Sequence, residues 1–133
     1  MFVRAKDGAP YVRLAAHWPG FNQTLADAIS PLPSLGSPEW SLSTYWIDRA
    51  LCVTRQMVDS GAFGIVQGGN AASFFVRDGQ VVAVSDDALF DDEVMAREDF
   101  EEALENWRFD VLRVRATESP SIPDTFRPVP YPD

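Results

Sequence analysis

The sequence predicts one α+β domain: an antiparallel sheet packed against a central apolar helix and a C-terminal amphipathic helix. Three observations carry this. Residues 62–85 hold β-rich runs separated by turn dipeptides. Residues 38–60 form a strongly apolar helical stretch between a capping serine and a glycine. Beyond residue 97, apolar residues recur at helical spacing.

The elements follow in chain order. Residues 2–5 and 11–16 read as two short strands, with Asp7, Gly8 and Pro10 supplying turn chemistry. Pro19-Gly20 is expected to end this unit. Asn22 or Thr24 can cap a short helix through Leu25, Ala28 and Ile29, and Pro31, Pro33 and Gly36 break the chain. Ser37-Pro38-Glu39 starts a second helix: serine caps, proline suits the first turn, and an acid favours the positive helix end. It should run to Ser60, where Gly61 stops it. Its apolar residues cover more than one face, which predicts a buried position with Cys52 inside.

Three strands follow at 62–67, 73–77 and 80–85. Gly68-Gly69-Asn70 makes the first reversal, and Asp78-Gly79 is a two-residue hairpin signal. An acidic loop, 86–93, leads to a last helix at about 97–113. There Phe100, Ala103, Leu104, Trp107 and Val111 fall on one face and Glu98, Glu101, Glu102 and Glu105 on the other. The single domain thus spans 1–117. Residues 118–133 hold five of the ten prolines and read as an extended tail without its own core.

Composition bounds the function. A chain of 133 residues with 46% apolar residues can bury one core unaided. Cys52 is the sole cysteine, so no internal disulfide forms. An N-terminus charged from Arg4 and the lack of a long apolar run predict a cytoplasmic protein without membrane spans.

Charge is the most informative feature. Residues 86–105 contain ten acids and one base, Arg97; the other 113 residues contain ten of each. The whole net charge of −9 therefore sits in 20 residues. This balance speaks against nucleic acid and anionic membranes as direct partners and fits a basic protein. The helix-face acids have no basic residue interleaved in sequence. They should repel one another unless a partner neutralises them.

Catalytic and metal-binding patterns are sparse. Gly68-Gly69-Asn70 lacks the spacing and lysine of a phosphate loop, and there is no Cys/His cluster for zinc. A serine or cysteine nucleophile would have to use His17, the only histidine. The acids at 86–93 lack the alternating ligand pattern and glycine of a calcium loop. The expectation is no catalytic residue, no metal and no cofactor. The alternatives are an adaptor or structural interaction domain that uses the tail, and a small metal-dependent enzyme.

Residues 69–112 run strand, turn, strand, acidic loop, helix. The pieces are Gly69-Asn70, Ser73-Phe-Phe-Val-Arg-Asp-Gly-Gln-Val-Val-Ala-Val84 and Arg97-Glu-Asp-Phe-Glu-Glu-Ala-Leu-Glu-Asn-Trp107. This third of the chain resembles the C-terminal part of small α+β immunity proteins of bacterial toxin–immunity systems, including contact-dependent growth inhibition. The resemblance implies a stoichiometric inhibitor. It would bind a cognate toxin domain with a basic surface, such as a nuclease, and cover its active-site cleft. The expected partner-binding residues are Asp86, Asp87, Asp91, Asp92, Glu93, Glu98, Glu101, Glu102 and Glu105.

Overall fold

The computed structural model describes residues 2–4, 10–12, 14–15, 17–29 and 43–118, with 2–4, 10–12 and 117–118 described by their backbone alone. The order is β1 (Phe2–Arg4), β2 (Pro10–Val12), α1 (Pro19–Ala28), α2 (Tyr45–Asp59), β3 (Gly64–Gly68), β4 (Ala72–Arg77), β5 (Gln80–Ser85), β6 (Glu93–Ala96) and α3 (Arg97–Glu118). β1 and β2 form an antiparallel pair; β3-β4-β5-β6 form an antiparallel meander in sequence order. This is the α+β class read from the sequence, with helices packed on the sheet. No described helix is long and apolar enough to cross a membrane.

Strand alternation divides the meander into two faces. Val66, Phe74, Val76, Val81, Ala83 and Met95 point to the helices. They meet Phe21 and Leu25 of α1, Ile47 and Ala50 of α2, and Phe100, Leu104, Trp107 and Val111 of α3, all buried. The Phe21, Phe74 and Phe100 rings pack in tilted and edge-on contacts at centroid distances of 5.0–6.2 Å. The face predicted for the last helix is the buried one, extended by one more turn to Val114.

Asp78 and Gly79 adopt φ of 53° and 73°, the left-handed pair that a two-residue hairpin requires. Gly61, at φ 69°, terminates α2 as expected.

Several expectations are corrected. Pro19-Gly20 opens α1 rather than closing the strand pair, because proline has no N–H to leave unsatisfied at the first helical position. α2 begins at Tyr45, with Ser43 and Thr44 outside it; the start at Ser37-Pro38-Glu39 lies outside the described residues. α2 buries one stripe, Ile47, Ala50, Leu51 and Thr54, so Cys52 is exposed rather than buried. The acidic loop is shorter than expected because Glu93–Ala96 pairs with β5, with Val82 opposite Val94 and Gln80 opposite Ala96. A strand of four residues carries too little alternation to be read locally. α3 runs to Glu118, taking in the first residue assigned to the tail; residues 119–133 lie outside the described ones.

Candidate functional site

The acidic stretch is split in two by β6. Asp86, Asp87, Asp91 and Asp92 lie on the β5–β6 loop, at the end of the sheet where α1 begins. Ala96 stands opposite Gln80. α3 therefore starts at the other end, beside the Asp78-Gly79 turn. The two groups of acids are separated by one short strand, roughly 10 Å at the usual strand rise.

The loop is anchored firmly. The Asp86 amide donates to the Ala71 carbonyl at 2.8 Å, and the Leu89 amide to Ser85 Oγ at 2.9 Å. Phe90 is half-buried and packs against the core. Ala88 sits at φ 54°, uncommon for a residue with a Cβ, and Leu89 is 63% exposed. Asp86, Asp87, Asp91 and Asp92 are all exposed.

Glu93 has a different place. Its side chain points to the helix face of the sheet. Its Oε2 accepts from the Gly20 amide at 2.6 Å and its Oε1 from the Phe21 amide at 2.9 Å. The donors at the start of α1 are thereby accounted for: Pro19 has none, Gly20 and Phe21 use Glu93, and the Asn22 amide reaches the Trp18 carbonyl at 3.0 Å. A carboxylate 72 residues away in sequence does the work of the local cap that Trp18 lacks. A Cβ on Gly20 would stand 2.5 Å from the Phe90 ring and 2.8 Å from the Glu93 carboxyl carbon, so glycine is needed for this approach.

The helix-face acids are neutralised in part by α2. Arg55 Nε meets Glu101 Oε1 at 2.6 Å and an Arg55 terminal nitrogen meets Glu105 Oε1 at 2.8 Å. Glu105, then Glu101, raise the Arg55 pKa above its ordinary value, so its charge is fixed. Arg97 Nε adds a contact to Glu101 at 3.4 Å and reaches Asp59 at 3.5 Å. Farther along, Arg108 Nε meets Asp48 Oδ1 at 2.7 Å. α2 and α3 are thus laced antiparallel by ion pairs, correcting the expectation that no base relieves these acids. The relieving base comes from another helix, where sequence interleaving cannot register it.

The nine expected partner-binding residues therefore separate by environment. Glu93, Glu101 and Glu105 are engaged within the fold. Glu98 lies 3.9 Å from Arg97 and is 75% exposed; Asp92 lies 3.8 Å from Arg77 and is 51% exposed. Asp86, Asp87, Asp91 and Glu102 are exposed and make no ion pair among the described residues, nor does Asp99, which lies outside that set of nine.

Between α2 and α3 lies an open groove of about 460 Å³, lined by residues that include Cys52, Gln56 and the ion-paired Asp48, Arg55, Glu105 and Arg108. Its charged groups already face one another. Among the described residues, no three His, Cys, Asp or Glu side chains converge as a metal site would require. Comparison with protein-family models, with curated proteins and with solved structures finds no match to this chain.

Proposed function

We propose that this chain is an immunity-type inhibitor that binds a basic toxin domain, such as a nuclease, through its exposed acids. The observation that carries the reading is the distribution of charge. The entire formal excess of −9 falls in residues 86–105, and the internal bases relieve only part of it. Asp86, Asp87 and Asp91 on the loop and Glu98, Asp99 and Glu102 on α3 stay exposed to solvent. Their mutual repulsion is relieved on meeting a cationic surface. A field of this kind speeds encounter and selects for basic partners. An interface of about 800 Å² per partner is wide enough to cover both groups.

The test uses the purified C-terminal domain of the protein encoded immediately upstream. Association is followed by stopped-flow fluorescence at low and high salt. Glu98, Asp99 and Glu102 are reversed together to Lys, leaving Glu101 and Glu105 on Arg55 so that the fold is not disturbed. The variant is expected to associate about ten-fold or more slowly at low salt, with the gap closing as salt rises. Equal rates at low salt would reduce the acids to a solvated helix face. Absence of binding by the wild type would remove the reading altogether.

A further inference from the structure

The acidic surface borders a second feature that the charge reading does not use. On the sheet face turned away from the helices, the register lines up Ile65, Phe75, Val82 and Val94 in one row across all four strands. None of the four belongs to the core between sheet and helices. Ile65 and Val94, on the two edge strands, are 54% and 45% exposed, and Phe75 is half-buried. Val82 is covered. Arg77 of β4 reaches Asp92, just ahead of β6, at 3.8 Å. Scattered exposed apolar residues are ordinary, but here two exposed ones, Ile65 and Val94, flank the half-buried Phe75 and the covered Val82 in a single register row.

We infer that this face is the apolar centre of the interface, and that a basic protein domain docks on it with the β5–β6 loop acids as its rim. The inference rests on the acidic-surface reading above and deepens it. Interfaces commonly pair an apolar centre with a polar rim, and the centre carries most of the affinity. Charge complementarity sets the occupant. The row ends at β6, beside Asp91 and Asp92, so the fitting partner is an apolar patch edged by Lys or Arg. The Arg77–Asp92 pair is long and exposed, a kind that contributes little, so a partner's cation can replace Arg77 at Asp92. A second copy of this chain fits poorly, because a two-fold contact here would bring two acidic loops to one rim.

The test replaces Ile65 and Val94 by Glu, singly and together, in the full chain. Both sites are exposed, so folding should survive, which circular dichroism checks. The probe is again the purified C-terminal domain encoded upstream. Added acid would strengthen a purely electrostatic contact with a basic partner. On the present inference it weakens binding instead, by about ten-fold or more, through faster dissociation. Phe109→Glu serves as control, being 67% exposed on α3 and away from this face. Affinity that is unchanged or tighter in Ile65→Glu and Val94→Glu, with the wild type binding, overturns the inference and leaves the acidic-surface reading standing. A wild type that does not bind overturns both. Two other results also overturn it: a wild-type dimer that Ile65→Glu dissolves without loss of partner affinity, and a fall of many degrees in the melting temperature of the free variant. The first assigns the face to a second copy, and the second to another part of this chain.

Discussion

Replacing Glu93 by Ala tests whether one carboxylate on an edge strand holds the first helix. The residue accepts from two amides, at 2.6 and 2.9 Å, at a helix start with no side-chain cap of its own. Removing a helix cap costs about 0.5–2 kcal/mol, and the loss of a partly buried anion from a helix N-terminus adds up to about 2 kcal/mol. The site is part-buried, so water can rescue only some of the freed donors. The expected loss is about 2–3 kcal/mol. Lowering the net charge from −9 to −8 returns a few tenths at most. For a chain of this size the melting temperature should fall by roughly 6–10 °C. Glu93→Gln keeps one acceptor but turns an amide group toward a backbone N–H, and should lose about 1–2 kcal/mol. Urea unfolding of both variants, beside the exposed control Glu102→Gln, gives the comparison. If all three agree with the wild type within about 0.5 kcal/mol, the carboxylate does not hold α1, and Glu93 returns to the set of acids free to meet a partner.

Two further expectations concern the core and the thiol. Trp107 is 1% exposed and its indole nitrogen has no hydrogen-bond partner among the described residues, so Trp107→Ala should cost about 3–5 kcal/mol, all of it packing; an unchanged denaturation midpoint would mean that α3 is rotated. Cys52 is exposed on α2, so the native protein should react with Ellman's reagent as fast as the urea-unfolded protein, while Cys52→Ala and His17→Ala should leave the proposed binding of a basic domain unchanged; slow native labelling, or loss of binding in a folded variant, would contradict this.

What the sequence determined by itself is what neighbouring residues decide among themselves. The Asp78-Gly79 turn, the strands on either side of it, the stop at Gly61 and the buried face of α3 all follow from backbone preference and from periods of two and 3.6 residues. The α+β class followed from these. The acidic segment was visible as composition. What only the tertiary structure decided are the pairings between residues far apart. β6 exists because Val94 and Met95 find Val82 and Val81, and four residues carry no period of their own. Glu93 became a cap because that strand delivers it to Gly20, in the first turn of α1. Arg55 meets Glu101 and Glu105 only because α2 lies antiparallel to α3. Cys52 is exposed because α2 faces the core with one stripe, and an apolar composition does not say how wide that stripe is. The same register aligned Ile65, Phe75, Val82 and Val94 from four separate segments. Charge along a chain states how much there is to neutralise; the register and the helix packing decide which charges are met within the fold and which stay exposed.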